Sequence, residues 1–395
     1  MFNHSTSEAL IDPNESAGTA RRTLSMGRII ARAKERLRRV FANDMAVDLG
    51  TSNTVIYVPD SGVVLNEPSI IALNKKTRQV IAVGREAKVA LGRQASGVSV
   101  VRPLKDGVIG DFDAAELMLT YFIKSALSRH RLTNPRVLIC APGEVSQIER
   151  RALEDAAGRA GAKHVDIVEE PIAAAIGAGY DIQSGRIFML VDIGGGTTDI
   201  VVLGFGGPVH LATLRVGGAK MDEAIAQYIR HAHGLEIGEL TAERVKIEMG
   251  SAERIASDRE IEVRGRDVRS GLPAAVSITS AEVQTALAPV IEEIVRGIDG
   301  ALEELPAEVS AGLLETGMVL TGGGSQLAGL VERISKETGL NVRQPASDGQ
   351  SLAVLGAGKL FRDGNFTSIK ELMLKRKADR LSEEHDRRHS IDQAA

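Results

Sequence analysis

The sequence has one cysteine, few aromatic residues and no long apolar run, and each shortage excludes a class of protein. Cys140 has no partner for an internal disulfide, which indicates a reducing compartment and a buried structural thiol. Aromatic residues make up 3% of the chain and tryptophan is absent, which argues against recognition of single strands or sugars by stacking. No apolar run approaches the ~20 residues that a membrane-spanning helix needs.

The charge balance also lacks a nucleic-acid signature. The net charge of the 395 residues is -4, so we expect no nucleic-acid partner. With 43% hydrophobic and 25% charged residues, the composition is that of an ordinary soluble globular protein. The length allows two or more domains, each with its own core.

The two ends of the chain differ from its middle. Residues 1–25 are polar and patternless and are predicted to be disordered, and residues 362–395 form a charged tail with at most a solvated helix. Between them, strands rich in Val and Ile alternate with helical patterns, as in RVLIC before SQIERRALEDAAGRAG. This alternation predicts an α/β fold with partly parallel sheets.

Two glycine-rich stretches share one layout. MAVDLGTSNTVIYV (45–58) and MLVDIGGGTTDIVVLG (189–204) both read as apolar strand, aspartate, glycine turn and apolar strand, with Asp48 matching Asp192. Glycines let backbone N–H groups approach phosphate oxygens, and the hydroxyls can donate further hydrogen bonds. The aspartates suit Mg²⁺ or its waters. One such turn alone is more simply a hairpin, whereas the matched pair favours a nucleotide held between two related half-molecules.

A third glycine cluster lies near the end of the patterned region. GMVLTGGGSQLAGL (317–330) predicts a strand, a glycine turn and an amphipathic helix beginning near Ser325. Such a turn places backbone donors and a helix N-terminus beside a ligand. It is neither a P-loop nor a dinucleotide fingerprint, because GK[ST] and GxGxxG are both missing. The alternative is a plain helix start with Ser325 as N-cap.

Together these motifs resemble the superfamily of actin, DnaK-type chaperones and sugar kinases. Within it, the chain is similar to the MreB family of bacterial actins from about residue 43 to 361. The similarity rests on an ordered set of segments: GVVLNEPSIIAL, VRPLKDGVIGDFD, IERRAL, EEPIAAAIGAG, RVGG, TAERVKIEMGSA, IEVRGRD and GMVLTGGG. One departure is Asp199, where many relatives have Glu; it stays unassigned.

The resemblance implies an actin-like ATPase fold with two duplicated α/β halves around a nucleotide cleft. The first half is expected at residues 43–190, with a small insert at about 74–102. The second is expected at 191–361, with an insert at about 231–293. ATP and Mg²⁺ are the implied cofactors, with Asp48 and Asp192 on the metal side, through water.

The resemblance also implies the residues that contact the nucleotide. They belong to two phosphate turns, a helix at the nucleoside and a closing glycine loop: Asp48, Gly50, Thr51, Ser52, Asn53, Asp192, Gly194, Gly195, Gly196, Thr197, Thr198, Glu243, Arg244, Lys246, Gly322, Gly323, Gly324 and Ser325. For Glu243 and Lys246 the alternative is a surface ion pair between positions i and i+3.

Glu149 is the catalytic candidate that the resemblance implies. In the family, a Glu in the matching ERR motif orients the water that attacks the γ-phosphate. Ser146-x-x-Glu149 is also a capping box at a helix start. A Glu149→Ala variant is expected to keep ATP binding and to lose most hydrolysis.

A basic amphipathic helix is predicted before the first strand, at residues 26–42. Its apolar side and its arginines are typical of a helix on an anionic membrane surface. An Arg-rich targeting segment, a nucleic-acid contact or a helix packed on its own domain are the alternatives. The expected membrane residues are Ile29, Ile30, Leu37, Val40 and Phe41.

These features predict a cytoskeletal ATPase that polymerises head to tail at the inner face of the cell membrane. Its expected partners are further copies of itself, anionic lipid, and membrane-bound cell-shape and wall-synthesis proteins. A specialised filament that positions an organelle or plasmid is the alternative. A small-molecule kinase is less favoured, because the insert at 74–102 is short and has no aromatic residue for sugar stacking.

Overall fold

A computed structural model describes residues 44–363 except 60, 131–134, 142–145, 182–183, 205–206, 255–258 and 346–348. The predicted extension (1–25), the predicted amphipathic helix (26–42) with its membrane residues, and the tail beyond residue 363 lie outside the described residues.

The described chain alternates strands and helices. Its strands are β1 (Asp44–Leu49), β2 (Asn53–Val58), β3 (Gly62–Pro68), β4 (Ile71–Asn74), β5 (Val80–Val83), β6 (Val98–Val101), β7 (Leu104–Lys105), β8 (Val108–Ile109), β9 (Arg136–Ala141), β10 (His164–Glu169), β11 (Phe188–Ile193), β12 (Thr198–Gly204), β13 (Gly207–Leu214), β14 (Leu235–Glu236), β15 (Glu260–Asp267), β16 (Pro273–Thr279), β17 (Met318–Thr321) and β18 (Val342–Arg343). Its α-helices are α1 (Arg85–Ala90), α2 (Phe112–His130), α3 (Gln147–Ala160), α4 (Glu170–Gly177), α5 (Gly218–His233), α6 (Glu239–Met249), α7 (Ser280–Glu303), α8 (Ala307–Thr316), α9 (Leu330–Thr338) and α10 (Leu352–Asp363). Short 3₁₀ helices lie at Gly323–Gln326 and Gly349–Ser351.

Two five-stranded sheets repeat one topology. Their strand orders are β10-β9-β1-β2-β3 and β18-β17-β11-β12-β13. In each, three consecutive strands pair antiparallel, and a later strand pairs parallel with the first of them. In each, one helix (α3 or α9) connects the two added strands and another (α4 or α10) follows them. This is the duplicated α/β architecture that the sequence predicts.

The central strands are buried because helices pack on both faces of each sheet. All residues of β1 and β12 are buried, so the strands read as nearly continuous apolar runs. Cys140 of β9 is 0% exposed, which confirms the expected buried thiol. Each half has its own apolar core, and a third cluster joins α4 and α10 to strands of both sheets.

Helices α4 and α10 approach to backbone contact. A Cβ on Gly356 would lie 1.8 Å from the carbonyl oxygen of Ala173, so only glycine fits there. Lys359 donates hydrogen bonds to the carbonyl oxygens of Ile176 (3.0 Å) and Gly177 (3.1 Å), the last ones of α4. The helix pair therefore joins the two halves tightly.

Each half carries a small additional sheet. β5-β4-β6 belongs to the first half and β14-β15-β16 to the second. Residues 280–293, at the end of the expected second insert, lie in α7, which starts with a capping box between Thr279 and Glu282. The buried face of this helix packs into the core of the second half. Among the described residues, no helix has the length and apolar character to cross a membrane.

Candidate functional site

A cleft of about 620 Å³ opens between the two halves. A volume of this size suits a small ligand or cofactor. Its lining comes from the β1–β2 turn, the β11–β12 turn, the start of α5, helix α6 and the glycine loop after β17. The sequence-predicted residues along it are Asp48, Gly50, Thr51, Ser52, Asn53, Asp192, Gly194, Gly195, Gly196, Thr197, Glu243, Lys246, Gly322, Gly323 and Gly324.

The β1–β2 and β11–β12 turns are built alike. The N–H of Gly50 donates to the carbonyl of Asn53 (3.1 Å), and the N–H of Gly194 donates to that of Thr197 (2.8 Å). Each turn joins two antiparallel strands, so each is a hairpin as well as part of the cleft wall. The sequence left open whether each turn is a hairpin or part of a ligand site, and these two interpretations are therefore compatible.

The two turns lie directly against each other. A Cβ on Gly195 would lie 1.8 Å from Oγ of Ser52, so a larger residue would push the turns apart. The start of α5 holds the second turn from behind, since the N–H groups of Gly218 and Ala219 donate to the carbonyls of Gly194 (3.0 Å) and Gly195 (2.8 Å). The RVGG segment ends in two glycines because a Cβ on Gly217 would lie 2.7 Å from the carbonyl oxygen of Gly194, and one on Gly218 would lie 3.3 Å from Nζ of Lys246.

Buried carboxylates meet at the base of the cleft. Burial raises the pKa of Asp48 to about 7. Burial, reinforced by the other carboxylates, also raises the pKa values of Asp192 and Glu170. Asp48 is 6% exposed and Asp192 9%. Oδ1 of Asp48 has no hydrogen-bond partner among the residues that the structure describes.

These carboxylates suit a divalent cation. An acidic group buried without a partner is costly, and a cation would remove that cost. No group of three or more metal-ligating side chains occurs in the described part of the chain. Mg²⁺ commonly uses one or two carboxylates together with water and phosphate oxygens, which matches the Asp48 and Asp192 pair.

Glu170 is a cleft residue that the sequence reasoning missed. It is the first residue of α4, is followed by Pro171 in the first turn, and lines the cleft. The Glu-Glu-Pro segment between a strand and an apolar helix could have indicated this position, but in the sequence it served only to identify the family.

Glu149 lies elsewhere. Its Oε2 accepts a hydrogen bond from the N–H of Ser146 (2.8 Å), and its own N–H donates to Oγ of Ser146 (3.2 Å). The capping box at the start of α3 is therefore confirmed. Glu149 is absent from the cleft lining as far as the described residues define it.

Three other expected contacts also lie outside the cleft lining. Thr198 donates its hydroxyl to the carbonyl of Val216 (2.8 Å), and Arg244 forms an ion pair with Glu248 (3.7 Å). The hydroxyl of Ser325 donates to the carbonyl of Gly322 (2.8 Å). The helix expected near Ser325 begins instead at Leu330, after the left-handed Gly329, so the N-cap role of Ser325 is wrong.

Helix α6 is held by partners from both halves. Glu243 pairs with Lys88 of α1 (2.6 Å), while Lys246 pairs with Asp222 (2.8 Å) and donates to the carbonyl of Gly218 (2.9 Å). The alternative of an ion pair between Glu243 and Lys246 is therefore wrong. Burial raises the pKa of Asp222 to about 6, although Lys246 acts in the opposite direction.

Comparisons with known proteins agree with this geometry. The family model "MreB/Mbl protein" matches residues 42–368. The cell shape-determining protein MreB of Escherichia coli K12 is 44% identical over 330 residues, which cover 82% of this chain and 95% of that protein.

Solved structures agree as well. Crystal structures of MreB5 of Spiroplasma citri, bound to ADP or AMPPNP, match with TM-scores of 0.77 and 0.76 at 34% identity, over 82–83% of this chain and 98% of theirs. The MamK double helical filament matches with a TM-score of 0.68 at 26% identity, over 81% of this chain and 99% of that one. The chain therefore belongs to the MreB/Mbl family and has its actin-like fold.

Proposed function

We propose that the protein binds and hydrolyses ATP and polymerises into membrane-associated filaments that organise cell-wall synthesis and rod cell shape. The observation that carries this proposal is the cleft between two matched glycine turns with buried carboxylates at its base. The ADP and AMPPNP in the Spiroplasma citri structures support a nucleotide as the ligand. The 44% identity to a cell shape-determining protein supports this role over a specialised filament that positions an organelle or plasmid.

Nucleotide binding follows from the chemistry of the cleft walls. The turn glycines bring backbone N–H groups to the phosphates, and the loop at Gly322–Gly324 closes from the second half. Asp48 and Asp192 would hold Mg²⁺ through water, and the ion would neutralise charge on the phosphates. Titration of the purified protein with fluorescent ADP tests this, and binding that needs no Mg²⁺ would contradict the role of the two aspartates.

For hydrolysis we propose Glu149 as the water-orienting residue, as the family resemblance implies, and Glu170 as the alternative because it lines the cleft. The capping box that holds Glu149 in the ligand-free structure is compatible with this role, because catalytic hydrogen bonds commonly tighten only when the substrate is bound. Burial and the neighbouring carboxylates raise the pKa of Glu170, and a Mg²⁺ ion held by Asp48 and Asp192 would lower that pKa again.

The matched variants Glu170→Gln and Glu149→Gln separate these assignments. Glu149→Gln should retain ADP binding and lower phosphate release by about a hundredfold or more. Its stability should change little, because Gln also serves at this position of a capping box. Glu170→Gln should retain most of the hydrolysis rate, and the reverse result would move the catalytic role to Glu170.

Polymerisation is proposed from the fold and its relatives. One head-to-tail contact repeated between identical chains builds an open filament, and the MamK relative forms a double helical filament. We expect filaments by electron microscopy with Mg²⁺ and ATP, and longer-lived ones from Glu149→Gln because hydrolysis no longer weakens the closed state. Monomers under all conditions would contradict the proposal.

Membrane association is proposed from the basic residues 26–42. Each basic residue near an anionic surface contributes about 1 kcal/mol, which would hold filaments at the inner face of the membrane, beside cell-shape and wall-synthesis proteins. Deletion of residues 1–41 should abolish co-sedimentation with anionic liposomes. Unchanged co-sedimentation would refute the anchor.

A further inference from the structure

Lys246 lines the cleft from α6, but its ammonium group is held by α5. Nζ of Lys246 lies 2.8 Å from Oδ1 of Asp222 and donates a hydrogen bond to the carbonyl oxygen of Gly218 (2.9 Å). The side chains of Lys246 and Asp222 are only 17% and 13% exposed. These contacts fix the position of the ammonium and place it in an ion pair that is largely shielded from water.

The ammonium of Lys246 also lies close to the β11–β12 turn. The N–H of Gly218 donates to the carbonyl of Gly194 (3.0 Å), and a Cβ on Gly218 would lie 3.3 Å from Nζ of Lys246 and 3.8 Å from Cα of Gly195. A lysine without a counter-charge at this place would attract phosphate as a point charge. Asp222 therefore determines whether Lys246 acts on phosphates or on another part of the ligand.

The pair with Asp222 removes that attraction. A carboxylate 2.8 Å from an ammonium leaves a dipole, whose attraction for a third charge falls with distance much faster than that of a single charge. The hydrogen-bonding capacity of Lys246 remains, because an ammonium has three protons. One goes to Gly218 and one faces Asp222, so the third is available to a neutral acceptor such as a sugar hydroxyl or a ring nitrogen.

The other charged residues of α6 in the cleft are compensated in the same way. Glu239, Glu243 and Glu248 line the cleft beside Lys246, and we call these four residues the α6 wall. The three glutamates pair with Arg102, Lys88 and Arg244, respectively. Charge thus favours the neutral part of a ligand at the α6 wall, and a phosphate chain with Mg²⁺ at the acidic base of the cleft.

We propose that Asp222 is a specificity-determining residue, which cancels the charge of Lys246 so that the cleft prefers nucleoside triphosphates to inorganic polyphosphate. The inference rests on the nucleotide binding proposed above. An inorganic triphosphate presents the same kind of oxygens to the glycine turns and to Mg²⁺ as ATP does, so neither can distinguish the two ligands. The α6 wall can, because only the nucleotide has neutral acceptors for Lys246.

The variant Asp222→Asn uncovers the charge of Lys246 with little change of shape. It is titrated by calorimetry with AMPPNP and with inorganic tripolyphosphate, with Mg²⁺ at pH 8, where Asp222 of the wild type is ionised because its pKa is about 6. The Kd for tripolyphosphate should fall about fivefold to thirtyfold at about 50 mM salt, and this gain should shrink at about 300 mM. AMPPNP should gain less, because a less firmly held Lys246 is a poorer donor to the nucleoside. A structural defect could not tighten binding.

Three further variants show whether Asp222 acts through the charge of Lys246. The double variant Asp222→Asn, Lys246→Gln should bind tripolyphosphate within about threefold of wild type, because the uncovered charge is gone. Asp222→Glu keeps the carboxylate and should keep the wild-type ratio of the two Kd values. Glu292→Gln removes the same charge from a pair with Arg333 (3.1 Å), outside the cleft lining that the described residues form, and should also keep this ratio. An unchanged ratio in Asp222→Asn, or the same shift in Glu292→Gln or in the double variant, would overturn the inference.

Failure of the proposed function would look different. A wild-type protein that bound neither AMPPNP nor ADP would refute nucleotide binding. The tripolyphosphate titrations of wild type and Asp222→Asn would still decide whether Asp222 covers the charge of Lys246. A wild-type protein that bound AMPPNP and tripolyphosphate equally well would retain nucleotide binding and refute the selectivity.

Discussion

Two ion pairs connect the halves at the cleft, and their removal should speed nucleotide release. Lys88 of α1 pairs with Glu243 of α6 (2.6 Å), and Arg102, before β7, pairs with Glu239 of α6. Three of these residues, Arg102, Glu239 and Glu243, line the cleft. We call the four residues the cleft latch and expect that a nucleotide leaves when the halves separate there.

The strength of the latch follows from its exposure. The four side chains are between 27% and 46% exposed, so each pair contributes about 0.5–1 kcal/mol and is screened by salt. Together they favour the closed cleft by about 1–2 kcal/mol. Since 1.4 kcal/mol is a factor of ten, removal of both pairs should speed release about fivefold to thirtyfold.

The assay is a stopped-flow chase of fluorescent ADP from the Mg²⁺-bound protein. The double variant Lys88→Gln, Arg102→Gln leaves the residues of α6 in place. Wild-type release should accelerate between about 50 mM and 300 mM salt, and release from the variant should not. The control Arg78→Gln removes a surface pair with Asp111 (3.1 Å) within the first half and should release ADP at the wild-type rate.

A charge exchange distinguishes the effect of the cleft latch on ADP release from a direct attraction between Arg102 and the phosphates. Arg102→Glu should release ADP faster than Arg102→Gln, because a glutamate at this position repels Glu239. The double variant Arg102→Glu, Glu239→Arg restores an attractive pair and should slow release again. A release rate within twofold of wild type in the double glutamine variant, with no salt dependence in wild type, would refute the latch.

Two further predictions concern stability. Gly356→Ala places a Cβ 1.8 Å from the carbonyl oxygen of Ala173 and should lower the free energy of unfolding, measured by chemical denaturation, by about 1–3 kcal/mol. Gly300→Ala, whose Cβ has nothing within 4 Å, should raise it by about 0.5–1 kcal/mol. Equal effects of the two variants would contradict the close helix contact. Burial raises the pKa of Asp222 from 3.8 to about 6, so the folded protein binds a proton that the unfolded chain has already released in this range. Asp222 should therefore lower the free energy of unfolding of the nucleotide-free protein by about 3 kcal/mol as pH rises from about 4 to 7, in addition to the contributions of the cleft carboxylates. Asp222→Asn should flatten this slope while leaving Lys246 bonded to the α5 backbone, and an unchanged slope would refute the assignment.

The turns were predictable because their information is local. An aspartate, a glycine two residues later and apolar strands on both sides specify a strand–turn–strand unit without any distant contact. The repetition of the unit then predicted the duplicated topology. The buried Cys140 was predictable for the same reason, since an apolar run between helical segments indicates a central strand.

The acidic groups of the cleft were harder to predict because burial depends on distant segments. Glu149 and Glu170 both follow strands of the first sheet and both begin helices. The capping box of Glu149 could be predicted from adjacent residues, whereas the place of Glu170 in the cleft lining depends on how the two halves pack. The partner of Glu243 could not be predicted either, because Lys88 lies in α1, a helix of the other half.

The side-chain hydrogen bonds of the two turns show how far a local repeat can predict chemistry. When the two turns are aligned as copies, they have similar glycines and hydroxyls. The alignment alone would therefore predict that both turns contact a phosphate in the same way. Their hydroxyls differ because their neighbours differ: Gly107, which donates to Thr51, lies outside the repeated unit, whereas Asp199, which accepts from Thr197, lies at its far edge. A duplicated backbone can thus present hydroxyls whose hydrogen bonds run in different directions in its two halves. The residue to examine in such a turn is therefore the partner of its hydroxyl as much as the hydroxyl itself.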